Sequence, residues 1–227
     1  MFNNVKFTLG PTWKELENLL NNSKENIQLL NNISQLYKTK ALVPDEKDLF
    51  NAFKLTSLSE IKVIILGQEP YPKKRDANGL AFSSMSHLVP ASLRNIFKSL
   101  KTTYPNVVLE HNDLSNWARQ GVLLLNTILT IDEGKSNSHN NVGWNVFTET
   151  VLSYLNSTVK HLCIVLWGNH AQNYAKYFDK SKHTVLMGMH PSPLSAYRGF
   201  FNLEWFKLID QDLIKYNLNP IDWNLTN

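Results

Sequence analysis

Only one cysteine, Cys163, occurs in the 227 residues. An intrachain disulfide is therefore excluded, and thiolates are too few for a cysteine-based zinc cluster. Cys163 lies in the apolar run His161-Leu-Cys-Ile-Val-Leu166 and reads as a small buried residue. No apolar run approaches the roughly 20 residues that cross a bilayer. The opening Met1-Phe-Asn-Asn-Val-Lys6 lacks the apolar core of a secretory signal. A cytoplasmic, soluble protein without membrane contact is expected. Glycine is sparse, and Gly168 and Gly188 belong to no dinucleotide or P-loop fingerprint, so nucleotide cofactors find no support. Low-complexity stretches, linkers and repeats are missing too. One domain over residues 1–227, a monomer, is the expectation. The charge excess is modest, 23 basic against 19 acidic residues for a net +4. That permits a polyanionic partner without establishing one.

What is present has the rhythm of an α/β protein. Residues 12 to 38 carry helix-like apolar spacing, and Pro44-Asp45 marks a further helix start with Phe50 and Phe53 on one face. Four apolar runs read as buried parallel strands: Ile61–Leu66, Val122–Asn126, Leu162–Leu166 and Thr184–Gly188. Between them, Leu93–Leu100, Trp144–Leu155 and Ala171–Phe178 are long enough for crossover helices. The expected fold is a three-layer α/β/α sandwich around a four-stranded, twisted parallel sheet.

In such a sheet all strand exits open on one edge, where ligands bind. The exits here are chemically unusual: Gly67-Gln68-Glu69-Pro70-Tyr71-Pro72, Asn126, Trp167-Gly168-Asn169-His170, and His190-Pro191-Ser192-Pro193-Leu194-Ser195. Glu69, braced by two prolines, suits a catalytic carboxylate, or else is a surface acid paired with Lys73, Lys74 or Arg75. Asn126 offers adjacent donor and acceptor groups that match a pyrimidine edge, or else satisfies nearby backbone. His190 leads into a rigid turn with the apolar Leu194 and the cation Arg198, which fits a wedge and phosphate grip on nucleic acid, or else a proline-rich loop. Phe82 is a core ring or a stacking surface. Ser92 stands at a helix start whose free N–H groups favour phosphate. Asn137-Ser-His139 suggests a structured loop of undefined chemistry.

Together these segments resemble the family 1 uracil-DNA glycosylases. Gly67–Pro72 is similar to the family's Gly-Gln-Asp-Pro-Tyr-His water-activating loop, and Leu123–Thr130 to its uracil-reading strand. His190–Phe201 is similar to its His-Pro-Ser-Pro-Leu-Ser loop with the following Tyr-Arg-Gly-Phe-Phe. The resemblance runs in the same order through nearly the whole chain, including Val43–Phe53, Trp117–Gly121 and Pro220–Trp223. It implies hydrolysis of the N-glycosidic bond of uracil flipped out of single- or double-stranded DNA, with no metal or redox cofactor. It also implies that an acidic, DNA-mimicking inhibitor protein is a possible partner. Glu69 and His190 would be catalytic. Backbone at Gln68 together with Tyr71, Phe82 and Asn126 would hold uracil. DNA would meet Ser92, Gly168, Asn169, Ser192, Leu194, Tyr197 and Arg198.

The chain departs from the pattern where Glu69 stands for Asp, Pro72 for His, Asn78 for His, Asn169 for Ser and Lys73-Lys74 for Gly-Pro. A glycosylase slowed by its longer carboxylate is the first expectation. An inactive DNA-binding accessory with the same fold is the alternative. A third, altered base preference, rests on Lys73-Lys74-Arg75.

Overall fold

A computed structural model describes residues 5–226; Met1–Asn4, the start of the stretch read for a signal, lie outside the described residues. In chain order the elements begin with α1 (Lys14–Asn22), α2 (Lys24–Thr39), β1 (Leu42–Val43) and α3 (Asn51–Leu55). Next come β2 (Val63–Gly67), α4 (Ala91–Thr103), α5 (Ser115–Arg119), β3 (Val122–Asn126) and β4 (Ile131–Asp132). The chain continues through α6 (Trp144–Thr158), β5 (Cys163–Trp167), α7 (Gly168–Gln172), β6 (Thr184–Gly188) and α8 (Trp205–Lys215).

The main sheet is four-stranded in the order β3-β2-β5-β6, and every pairing in it is parallel. The three strands β2, β3 and β5 are buried at every position, which explains their continuous apolar runs. Helices pack as three groups, α1 with α2 and α6, α3 with α5, and α4 with α8. The α/β/α arrangement expected from the alternating pattern is the one observed. Five fully buried tryptophans, Trp13, Trp117, Trp144, Trp167 and Trp205, fill the layers. Among the described residues no helix is long and apolar enough to cross a membrane.

Several local expectations need correction. The helical stretch 12–38 is two helices, because Ser23 leaves the helical region and its hydroxyl caps α2 by accepting from the Asn26 N–H. Pro44-Asp45 does not start a continuous helix: a 3-10 turn at Glu46–Asp48 precedes the five-residue α3. Phe50 and Phe53 nevertheless both reach Phe147. Ala171–Phe178 is not a crossover helix, since α7 ends at Gln172 and only a 3-10 turn at Ala175–Tyr177 follows. β6 is an edge strand, half-buried rather than buried, with Met187 exposed.

Register is what matters for function. Gly67 lies opposite Asn126, and Trp167 lies opposite Gly188. Neighbouring strands are about 4.8 Å apart, so the four exits emerge side by side.

Candidate active site

A cleft of about 200 Å³ opens at this edge, lined by Gln68, Glu69, Tyr71, Phe82, Asn126 and His190, with Ser92 at its rim. A neighbouring recess of about 370 Å³ is lined by Gly168, Asn169, His170, His190 and Ser192. The catalytic and base-contacting residues expected from sequence therefore share one wall system.

Asn126 ends β3 with its side chain laid over the backbone of β2. A Cβ at Gly67 would lie 2.3 Å from Asn126 Oδ1 and 2.9 Å from the Ala81 Cβ, so only glycine fits beneath the amide. Asn126 is 5 % exposed, and its Oδ1 is buried without a hydrogen-bond partner. An unsatisfied buried acceptor costs about 1–3 kcal/mol. Here it leaves the cleft wall ready to receive an N–H.

Phe82 supplies another wall. Its backbone is left-handed, φ 63°, an unusual state for a bulky residue and one found where structure over-determines a side chain. The ring meets Trp167 edge-on at 5.5 Å and lies 5.9 Å from the His190 ring. Tyr71 donates from its hydroxyl to the Phe82 carbonyl at 3.4 Å, and burial pushes the phenol pKa up, so it stays a neutral donor. The Gln68 carbonyl accepts from the Ile128 N–H at 2.9 Å and from the Thr127 hydroxyl at 3.1 Å. Because Thr127 donates there, His170 Nε2 donates to Thr127 Oγ1, 2.7 Å away. This chain pins the β2 exit loop to β3.

His190 has a defined tautomer. The Ser192 backbone N–H donates to Nδ1 at 2.9 Å, so the neutral ring carries its proton on Nε2. Burial lowers the imidazole pKa, and the nearby His170 lowers it further. A neutral ring with a donor N–H results. Ser195 donates from Oγ to the His190 carbonyl at 2.9 Å, and the Ser192 and Ser195 hydroxyls are 2.9 Å apart. Asn95 of α4 donates to the Pro191 carbonyl at 2.7 Å, anchoring the Pro-Ser-Pro turn. Gly168 is left-handed at φ +84°, and a Cβ there would sit 2.8 Å from the His190 Cβ. Glycine is thus required for the two exits to touch.

Glu69 is half-buried, and both its oxygens face the Asn137 backbone N–H, at 3.2 and 2.9 Å. Burial raises its pKa, opposed by the Asn137 N–H, the Ser136 hydroxyl and the His139 charge. The loop carrying Asn137 is itself tied down. β4 pairs with β1, Ser138 Oγ accepts from the Asp132 N–H at 2.8 Å, and buried His139 bridges Thr130 and Asp132. Gln68 reaches the same place, its Nε2 donating to Asn137 Oδ1 at 3.0 Å. The sequence marks Asn137-Ser-His139 as a loop without connecting it with Glu69, and it places His170 at a strand exit and Thr127 in the β3 motif without giving either a role. The available signal was a histidine flanked by short polar residues between β4 and α6, which suits a pinned loop. The 68-residue separation hid its partner.

The rim is exposed and carries the Arg198 cation. Leu194 is 82 % exposed and Tyr197 70 %. Arg198 lies over the Tyr197 ring at 5.3 Å and donates from Nε to its hydroxyl at 3.0 Å. Ser92 occupies the first turn of α4, and Asn169 is exposed on α7. Lys74 pairs with Asp45 at 2.9 Å, and neither residue lines the cleft. The only cysteine is buried and its thiol pKa is pushed up by burial, so it takes no part here.

Comparison with known proteins agrees with this geometry. The family model described as "Uracil DNA glycosylase superfamily" matches residues 53–214. A uracil-DNA glycosylase of Buchnera aphidicola subsp. Acyrthosiphon pisum is 43 % identical over 216 residues, covering 94 % of this chain and 98 % of that protein. One from Yersinia pestis is 46 % identical over 186 residues, covering 81 % and 82 %. The crystal structure of mimivirus uracil-DNA glycosylase superposes with a TM-score of 0.89 at 29 % identity, covering 95 % of this chain and 87 % of that one. A mimivirus UNG variant solved in complex with UGI has the same TM-score and identity, covering 97 % and 92 %.

Proposed function

The chain belongs to the uracil DNA glycosylase superfamily, and from that premise we propose that it flips uracil out of DNA and hydrolyses its N-glycosidic bond, leaving free uracil and an abasic site. The observation that carries the reading is the buried, unpartnered Asn126 Oδ1 in the same cleft as a neutral His190 bearing its proton on Nε2. Uracil's N3–H satisfies that acceptor, and the Asn126 amide N–H reads O4. Cytosine has no N–H at N3 and carries a donor amine at C4, so it leaves the amide unpaired. Phe82 stacks on the base, and Tyr71 occupies the side where thymine carries its methyl group. Unstacking costs about a few kcal/mol, which Leu194 offsets by filling the vacated gap. Ser92, Gly168, Asn169, Ser192, Tyr197 and Arg198 hold the flanking phosphates and backbone.

Bond cleavage sends the electron pair of the C1′–N1 bond into uracil, with charge gathering on O2. The His190 Nε2–H donates to that oxygen as charge develops, assisted by backbone at Gln68. Glu69, ionised, faces the cationic sugar. It orients a water whose oxygen bonds to C1′ and whose proton it receives. Its contact with Asn137 supports a fixed carboxylate despite the additional methylene. A protein presenting acidic groups in place of DNA phosphates suits the same cationic rim, and a mimivirus relative is seen with UGI.

Incubation with uracil-containing single-stranded DNA in chelator tests the activity. Free uracil and alkali-labile sites are expected; strands that stay intact at enzyme excess refute it. Glu69→Asp then separates a detuned enzyme, which gains excision, from a DNA-binding accessory, which stays inactive yet retains affinity for uracil-DNA.

A further inference from the structure

A third cavity, of about 610 Å³, runs along the outer face of α4. Arg94, Lys98 and Lys101, spaced four and three residues apart, line it together with His87. Its apolar lining includes Val89, Phe97 and Leu109, and Glu110 is a carboxylate at its wall. The groove and the cleft share α4 but no lining residue: Ser92 lines the cleft, and Arg94, two residues on and so on another face of the helix, lines the groove and donates from Nη2 to the Val89 carbonyl at 3.2 Å. The Leu194 loop lies between them. Asn95 holds that loop's Pro191, and the Lys98 ammonium lies 4.9 Å over the ring of Phe201, which follows it in the chain.

We propose that this groove binds single-stranded DNA flanking the uracil, an inference that rests on the reading of DNA as substrate. The basic residues take phosphates in series. From Arg94 to Lys101 the helix advances about 10 Å at 1.5 Å per residue, enough for more than one phosphate. The apolar lining decides between strand forms. A duplex keeps its bases paired inside and would touch the groove with phosphates alone, whereas an unpaired base covers apolar surface that is otherwise wet. The groove thereby extends the footprint beyond the phosphates gripped at the cleft.

The test is the salt dependence of binding to a uracil-free single-stranded oligonucleotide, followed by fluorescence anisotropy. It compares the unmodified protein with Lys98→Gln/Lys101→Gln and with Lys160→Gln/Lys180→Gln. The latter pair removes equal charge beyond the opposite ends of the strands. Each lost phosphate contact reduces the slope of log K against log salt by about 0.7 for a single strand. Between 50 and 200 mM salt, the α4 variant should therefore lose about sevenfold less affinity than the unmodified protein. The control variant should retain the full slope. An unchanged slope in the α4 variant, or an equal reduction in the control, overturns the proposal. An equal reduction on blunt duplex overturns the assignment to single strands. Because the oligonucleotide contains no uracil, failure of excision is scored separately, in the chelator assay, and leaves this comparison readable. Excision from a short uracil oligonucleotide confined to the cleft should be unchanged in the α4 variant, which shows that the fold is intact.

Discussion

At the scale of single residues, Gly67 and Asn126 act as one unit. If Asn126 reads the base as proposed, Asn126→Ala removes a two-point contact worth about 1–3 kcal/mol, and kcat/KM should fall roughly 5- to 150-fold. Gly67→Ala places a Cβ 2.3 Å from Asn126 Oδ1 and should cost about as much by displacing the amide. The double variant should be no worse than Asn126→Ala alone, because the same contact cannot be lost twice. Additive losses in steady-state kinetics would show that Gly67 acts elsewhere. Glu69 presents the opposite balance, function held against stability. Its folded pKa is raised by burial. Stability from the protonated form is therefore complete below the unfolded value near 4.5 and is lost as pH rises through the folded pKa. Glu69→Gln should consequently raise Tm at pH 7 while abolishing most excision, and the gain in Tm should shrink as pH falls toward 4.5. A lower Tm at pH 7 would mean that the Asn137 contact outweighs burial.

At the scale of elements, legibility in the sequence followed periodicity and failed where a single contact overrides it. β2, β3 and β5 were readable because burial on both faces demands unbroken apolar runs. β6 looked the same yet lies at the sheet edge, a distinction that composition does not carry. α6 was readable from Trp144 to Leu155, short of its end at Thr158, whereas the 171–178 segment has apolar spacing but holds only the end of α7 and a 3-10 turn. At the cleft, motif residues at strand exits were legible because parallel strands must open on one edge. The Asn137 amide was not, since any residue has a backbone N–H and only the pinned β4 loop aims this one at Glu69. The close contact of Gly168 with His190 illustrates the same limit, for no pattern announces it. Gly168→Ala combines a left-handed backbone, costing about 1–2 kcal/mol, with a Cβ 2.8 Å from the His190 Cβ. Neither atom can rotate away, so the exit loops must part. Tm should fall by roughly 2–8 °C, and kcat by about a hundredfold if His190 moves by about 1 Å. Calorimetry together with single-turnover excision checks both, and an unchanged kcat would show that His190 does not need this contact.

At the scale of the whole molecule, burying neutral imidazoles makes the fold sensitive to mild acid. His170, His183 and His190 all have pKa values lowered below 6.5, in each case chiefly by burial. Above pH 6.5 both folded and unfolded chains keep these rings neutral, and nothing is lost. As pH falls below 6.5 the unfolded chain binds protons that the folded one refuses. Their contribution to stability is then lost as pH falls through the folded pKa values. Glu69 works in the other direction, but it is one group against three and its window opens nearer the ordinary carboxyl value of 4.5. The carboxylates of Glu17, Asp132 and Asp179, with lowered pKa values, add their own losses only at lower pH. Tm should hence be level from pH 8 to 7 and decline between pH 6.5 and 5. Unfolding at pH 6 should take up protons, measurable as a dependence of the calorimetric enthalpy on buffer ionisation heat that vanishes at pH 8. A Tm that rises on acidification to pH 5.5 would mean that these histidines are charged in the folded protein. His190 would then enter the reaction as a cation, and the neutral-donor account of uracil release would fail with it.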